Sequence, residues 1–189
     1  MNVVALEKGD IQRAAGILRD YWTERGMEYS QKWTESYLLK GHSKEIKDDV
    51  TLVLKEGEEI IGVVAIIVYE GDLAEVRDWV VRKEYRKKGY GKLLLKEAIE
   101  FCIKRNVRKI AALVFPQYEK LFEKIGFLRE GYLRSHFKDN EDLVYMSVIL
   151  QQREMQANLR TQLQDLSIMK DIESETSERL RMMKSKRQV

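Results

Sequence analysis

The sequence of 189 residues contains a single cysteine, Cys102, and a single proline, Pro116. One cysteine excludes a disulfide framework and a cysteine-rich metal site. The longest apolar run, from Ile60 to Tyr69, is much shorter than the roughly 20 residues that span a bilayer. Neither sign of charge dominates, since 34 Lys and Arg are offset by 31 Asp and Glu, for a net charge of +3. Bulk charge therefore gives no argument for a nucleic-acid partner.

The first residues lack the basic and apolar regions of a signal peptide, so we expect a cytoplasmic protein. The residues from 151 to 189 contain no glycine, proline or aromatic residue. This break in composition predicts a folded domain over 1–150 and a separate extension over 151–189. Apolar residues make up 44% of the chain, which is enough for the first part to bury a core.

The periodicity of apolar residues predicts both strands and helices in the first 150 residues. Strands are predicted over 2–6, 51–55, 60–69, 73–81, 109–114, 127–135 and 143–150. Helices are predicted from Asp10, interpreted as an N-cap, and over 30–40, 91–105 and 117–125. Consecutive strands pair antiparallel, whereas the strand–helix–strand unit at 73–114 is expected to be parallel. The fold class is therefore α/β, with a mixed, mostly antiparallel seven-stranded sheet and helices on both faces.

A basic turn with two glycines, RKKGYGK at 86–92, lies between a predicted strand and a predicted helix. A helix N-terminus exposes unpaired amides with partial positive charge, and glycines let a ligand approach the backbone. Together with four cations, these features predict a pyrophosphate site. A dinucleotide fingerprint would need glycine at Leu94, and a P-loop would need Ser or Thr at Leu93. The alternative is a basic turn that binds nothing.

The segment RKKGYG resembles the R/Q-x-x-G-x-G/A signature of the GNAT superfamily of acyl-CoA-dependent N-acetyltransferases. The strand AEVRDWVV before it and LFEKIGF at 121–127 resemble the neighbouring segments of that family. The resemblance covers about residues 2–150 and implies a GNAT-like fold that binds acetyl-CoA. It implies that the pantetheine arm follows the strand at Trp79, Val80 and Val81, where the strands 73–81 and 109–114 splay apart. The cofactor-binding turn would comprise Arg86, Lys87, Lys88, Gly89, Tyr90, Gly91 and Lys92.

Acetyl transfer needs a neutral amine, and an amine with a pKa of about 10.4 is mostly protonated at pH 7. Glu75 is interpreted as the general base, since it lies on the strand that the resemblance assigns to the thioester; a salt bridge is the alternative. Asp78 would face the opposite side of a regular strand, so the two carboxylates can share one cleft only if a bulge intervenes. Many family members have a tyrosine as general acid where this chain has Phe122. Tyr118, four residues earlier, is the candidate to replace it, and whether a general acid exists stays open.

These residues predict that a primary amine attacks acetyl-CoA directly in a ternary complex, without a metal. Two alternatives stay open: a protein N-terminal or lysine acetyltransferase, and a non-catalytic acyl-CoA-binding regulatory protein. Phe115 and Phe122, which replace polar residues of the family, motivate the second. Aromatic residues in the region of the first two predicted helices and the turn between them suit a cationic acceptor, either a small molecule or a peptide. They are Tyr21, Trp22, Tyr29, Trp33 and Tyr37.

The C-terminal extension carries apolar residues at steps of three and four: Leu159, Leu163, Leu166, Met169 and Ile172. This spacing predicts an amphipathic helix, and a stripe of that length needs a partner. We expect the helix to form a homodimer or another homo-oligomer; packing against the domain itself is the alternative. We expect neither a membrane nor a nucleic acid as a partner.

Overall fold

The computed structural model describes residues 1–40 and 46–150. The helix expected at 151–189 lies outside the described residues. The strands within them are β1 (Asn2–Ala5), β2 (Ile46–Glu56), β3 (Glu59–Tyr69), β4 (Leu73–Val81), β5 (Lys109–Val114), β6 (Leu128–Lys138) and β7 (Glu141–Ile149). The α-helices are α1 (Ile11–Glu24), α2 (Gln31–Lys40), α3 (Tyr90–Lys104) and α4 (Glu119–Lys124). In these ranges no helix is long and apolar enough to cross a membrane.

The strands form one mixed sheet in the order β1-β2-β3-β4-β5-β7-β6. β4 and β5 are parallel, with α3 as their crossover, and the other neighbouring strands are antiparallel. This topology confirms the predicted seven-stranded, mostly antiparallel sheet. The loop between β6 and β7 is shorter than predicted, since it consists only of Asp139 and Asn140. Asn140 has a φ of 68°, in the left-handed region that asparagine tolerates in tight turns.

Helices cover both faces of the sheet. α3 and α4 pack on one face, where Leu94, Ile99 and Phe122 join the larger apolar core. α1 packs on the other face, where Leu18 contributes to a second, smaller core, and α2 packs beside α1. Residues 60–68 of β3 are buried throughout, since the strand lies between these two layers. That double burial explains why this strand is a continuous apolar run and does not alternate.

Gly62 of β3 allows α3 to lie close to the sheet. A Cβ atom at this position would lie 2.7 Å from Cδ1 of Leu94 and 3.1 Å from the carbonyl oxygen of Val80. Any larger side chain there would have to displace the side chain of Leu94. Since α3 begins directly after the basic turn, this close packing fixes the position of the turn relative to the end of β4.

Asp10 lies at the start of α1 as predicted, but its carboxylate does not cap the helix. It accepts a hydrogen bond from Arg13 and forms an ion pair with Lys55 of β2. The N-cap prediction was wrong in this respect, because two cations are stronger partners for a side chain that is only 4% exposed. The hydrogen bond from Lys55 holds the pKa of Asp10 below its usual value, with Arg13 adding to the effect.

We expect Asp10→Asn to lower the free energy of unfolding at pH 7 by about 1–3 kcal/mol, because it removes the buried carboxylate that pairs with both Arg13 and the half-buried Lys55. The folded-state pKa of Asp10 lies below its unfolded value. The stabilisation is therefore complete above about pH 3.8 and is lost as the pH falls through the folded-state pKa. Urea unfolding at several pH values measures the difference, with the exposed Asp20→Asn as control. Equal stability of wild type and Asp10→Asn at pH 7 would contradict this role.

Candidate active site

The turn between β4 and α3 presents a row of free backbone amides. A short 3-10 turn at Lys83–Tyr85 follows β4, and α3 begins at Tyr90. The first hydrogen bond of α3 runs from the amide of Leu93 to the carbonyl of Gly89, over 3.2 Å. Within the described ranges, no backbone carbonyl accepts a hydrogen bond from the amides of residues 87–92. These amides, at the positive end of a helix, are suited to an anion.

Glycine is favoured at two positions of the turn for different structural reasons. Gly89 has a φ of +84°, and no described atom lies within 4 Å of the position a Cβ would take. It leaves open space in front of the backbone, as expected for ligand access. At Gly91 a Cβ would lie 3.0 Å from Cζ2 of the Trp79 indole. The packing of Trp79 therefore gives a second reason for glycine at this position, which the sequence did not indicate.

The cations of the turn also differ in their contacts. Arg86 donates from Nε to the carbonyl of Val81 (2.9 Å) and from Nη1 to Glu24 of α1 (2.8 Å), so it ties the turn to β4 and α1. Lys87, Lys88 and Lys92 are exposed. The ammonium group of Lys88 lies 5.2 Å from the centre of a tyrosine ring in the preceding turn. The lysines are therefore accessible to an anion, whereas Arg86 shapes the turn.

The strands β4 and β5 separate beside this turn. They pair only from Leu73 with Lys109 to Val76 with Ala112, although both strands continue beyond these residues. A cavity of about 420 Å³ opens between their ends, lined by both strands and by side chains of α1, α4 and β6. The splay that the resemblance implies is therefore present in the structure.

A β-bulge in β4 places two carboxylates in this cavity. Val63 of β3 pairs with Val80, but Ala65 pairs with Arg77, so β4 has one extra residue in this interval. Asp78 lies in the bulge with a φ of 47°. Glu75 and Asp78 both line the cavity. The bulge is the condition under which both carboxylates can face one cleft, because it reverses the alternation of a regular strand.

Glu75 is held by two donors. Its Oε2 atom accepts hydrogen bonds from the hydroxyl of Tyr69 and from Nη2 of Arg77, each at 2.9 Å. Arg77 lies two residues further on the same strand and thus on the same face. Burial, and the hydrogen bond to Glu75, raise the pKa of Tyr69. The salt bridge named as the alternative role is therefore present, and the same carboxylate also lines the cavity.

Asp78 accepts a hydrogen bond of 2.7 Å from the hydroxyl of Tyr37 in α2. Burial and the negative charge of Asp78 raise the pKa of Tyr37, so this hydroxyl stays protonated at neutral pH. The ring of Tyr37 stacks on Trp33, which stacks on Tyr29, with centroids 5.5 and 4.4 Å apart. Three of the aromatic residues expected near the acceptor thus form one stack that ends at a cavity carboxylate.

Tyr118 and Phe122 both pack against Trp79, with ring centroids 5.4 and 5.6 Å away and edge-to-face geometry. Their expected position on one face of the segment is therefore observed. Tyr118 is 36% exposed and lines the cavity, whereas Phe122 is 1% exposed.

Arg25, directly after α1, connects the end of this helix to β6, β7 and the residue after β5 at the edge of the cavity. Its guanidinium carbon lies 3.9 Å from the ring centre of Phe115 and 5.0 Å from that of Tyr21. Its Nη1 atom lies 3.6 Å from Glu141 of β7, and Lys138 of β6 donates to its carbonyl. Sequence analysis missed this residue, as well as the partners of Glu75 and Asp78, because the contacts join segments that are distant along the chain.

The geometry agrees with the comparisons to known proteins. The family model described as the acetyltransferase (GNAT) family matches residues 14–127. Among curated protein sequences, none matches this chain.

Several solved structures have a similar fold. The spermidine N-acetyltransferase of Vibrio cholerae, in complex with CoA and spermine, has a TM-score of 0.64 and 24% identity, over 78% of this chain and 94% of that chain. The ribosomal-protein-S18-alanine N-acetyltransferase of Escherichia coli has a TM-score of 0.62 and 20% identity, over 78% and 92%. The aminoglycoside 6'-N-acetyltransferase of Enterococcus faecium has a TM-score of 0.64 and 15% identity, over 81% and 99%.

The matched residues 14–127 make up more than half of the chain. They include the basic turn, the splayed strands and the bulge of β4. On this basis the chain belongs to the acetyltransferase (GNAT) family.

Proposed function

We propose that this protein is an N-acetyltransferase in which a primary amine attacks acetyl-CoA directly within a ternary complex. The observation that carries the proposal is the junction between the basic turn and the cavity. Trp79 lines the cavity, and its indole Nε1 donates a hydrogen bond of 2.7 Å to the carbonyl of Gly91 at the start of α3. Trp79 thus connects the turn whose amides would hold a pyrophosphate to the cavity that two carboxylates line.

In the proposed complex the amides of residues 87–92 bind the pyrophosphate, and the exposed lysines of the turn neutralise its charge. The pantetheine arm lies along the unpaired edge of β4 at Trp79, Val80 and Val81, like an added strand. Support comes from the early end of the β4–β5 pairing, which leaves this edge available. The amide of Trp79 polarises the carbonyl oxygen of the thioester.

Glu75 is the proposed base. Its carboxylate takes a proton from the bound ammonium group, directly or through water, and the neutral nitrogen attacks the thioester carbon. As the new C–N bond forms and the C–S bond breaks, the nitrogen loses its second proton, and this proton passes through Tyr118 or water to the leaving thiolate, whose thiol pKa is about 8.5. Tyr69 and Arg77 orient the carboxylate of Glu75. Asp78, with Tyr37, is the alternative base that the bulge brings into the same cavity.

The acceptor is proposed to be a small amine. The aromatic rings of Tyr21, Trp22, Phe115 and Phe137 line a cavity of about 420 Å³ that also contains two carboxylates, which suits a cation with an apolar body. A peptide N-terminus or lysine is the alternative, and the similar folds named above include acetyltransferases of both acceptor classes. Acetyl-CoA binding without acetylation of any amine would favour a regulatory protein. Release of CoA with a panel of small amines and peptides separates the three.

We expect Gly89→Asp to weaken acetyl-CoA binding at least about tenfold, or roughly 1.4 kcal/mol. The substitution places a negative charge beside the pyrophosphate and a side chain at a φ of +84°. Isothermal titration calorimetry measures the effect. The matched control is Gly57→Asp, which has a φ of +60° and open space in the β2–β3 hairpin, and should bind as wild type does. Wild-type affinity of Gly89→Asp would remove the turn from the cofactor site.

We expect Glu75→Gln to reduce kcat by about 10²–10⁴-fold near pH 7. The deficit shrinks as the pH rises towards the pKa of the amine, about 10.4, because solvent then supplies the neutral amine. The measurement is kcat against pH with an acceptor from the panel, and KM for acetyl-CoA should not change. Asp78→Asn is the comparison. If it causes the pH-dependent loss while Glu75→Gln retains the wild-type profile, Asp78 is the base.

The extension at 151–189 is proposed to join two copies of the chain through its apolar stripe. We expect Leu163→Glu to lower the mass in solution, because a charge in such a stripe opposes association. Light scattering of the full-length protein measures the mass. Gln164→Glu adds the same charge away from the stripe and serves as the control. An unchanged mass for Leu163→Glu would exclude this role.

A further inference from the structure

The indole of Trp79 closes the cavity on the side of α3 and α4. Its Nε1 atom is fixed by the carbonyl of Gly91, and its ring packs edge-to-face against Tyr118 and Phe122. Phe122 is in turn packed against Phe127, with centroids 5.0 Å apart. The indole is therefore a wall supported by a buried aromatic cluster and by the first turn of a helix.

Trp79 has little freedom to move aside. The missing Cβ at Gly91 leaves room for the indole, which already lies 3.0 Å from the position that this atom would take. Turning the ring away would break the hydrogen bond to the Gly91 carbonyl and the contacts with Tyr118 and Phe122. Loss of an indole hydrogen bond in a partly buried place opposes such a movement.

Several other elements line the rest of the cavity, with side chains from β5, β6 and β7 as well as α1. At its inner end the β4–β5 ladder closes the space, with Val76 paired to Ala112. On the far side lie Tyr21 and Trp22 of α1, where the proposed acceptor enters. A chain that extends from the reacting carbonyl towards α3 and α4 therefore meets the indole.

We propose that Trp79 sets the length of the transferred acyl group and restricts it to acetyl or a group of similar size. This inference rests on the proposed function, because it takes the thioester to lie at the end of β4. Each additional methylene has no space beside the indole, and one methylene in a closed apolar pocket changes kcat/KM by about 10- to 200-fold. Trp79 thus has a selective role in addition to the role of its backbone amide.

The test compares full-length wild type and Trp79→Leu with acetyl-, butyryl- and hexanoyl-CoA. Binding is measured by calorimetry, which needs no acceptor, and transfer by thiol release with an acceptor from the panel. We expect wild type to prefer acetyl-CoA over hexanoyl-CoA by at least about 100-fold. We expect Trp79→Leu to reduce that preference at least about tenfold, mainly by improving hexanoyl-CoA. Trp79→Phe, which keeps an aromatic ring, should give an intermediate value and serves if the leucine variant does not fold.

The control is Phe101→Leu in the last turn of α3, which removes an aromatic ring from the same side of the sheet and does not line the cavity. It should keep the wild-type preference. A preference that Trp79→Leu and Trp79→Phe leave unchanged would overturn the inference and leave the proposed function standing. Equal use of hexanoyl-CoA and acetyl-CoA by wild type would do the same. A wild-type protein that binds no acyl-CoA of any length would overturn both.

Discussion

The site depends on the unequal pairing of β4, which bonds to β3 along most of its length and to β5 only along its first part. Backbone N–H and C=O groups that lose a strand partner need another one. In the second half of β4 these groups face a cleft instead of a neighbouring strand. A linear ligand with amide groups of its own can take the place of the missing strand. The bulge at Asp78 bends β4 at the point where the strands separate.

The last turn of α1 connects the two ends of this cleft. Glu24 binds Arg86 of the basic turn, and the next residue, Arg25, contacts Phe115 and Glu141 at the opposite edge. Both contacts come from consecutive residues, so a shift of this turn moves both edges together. The basic turn and the Phe115 edge of the cavity therefore both contact one segment at the end of α1.

Local sequence patterns were sufficient for most of the fold. The 3.6-residue spacing of Leu94, Ala98 and Cys102 located α3, and the long apolar run at 60–69 located the central strand. Both follow from burial, which repeats regularly along an element. The basic turn could also be predicted, since its two glycines, its cations and the start of the helix lie in consecutive residues.

Features that depend on distant contacts could not be predicted in this way. The residues around Asp78 contain no pattern that predicts a bulge, because the extra residue is defined only by the register with β3. The hydroxyl groups of Tyr37 and Tyr69 reach carboxylates on another element. Asp10 is a residue type that often caps helices, yet its carboxylate forms an ion pair with a lysine of β2 instead. In each case a tertiary partner outweighs the local preference.

The fit between Trp79 and Gly91 has a consequence for how the sequence can diverge. An alanine at position 91 would place its Cβ 3.0 Å from the indole, so the ring would have to shift by a few tenths of an ångström, whereas a smaller residue at position 79 removes this contact. Neither site can drift alone without a penalty in packing, so substitutions at the two positions have to accompany each other. Among descendants of this chain, tryptophan at 79 and glycine at 91 should be inherited as a pair.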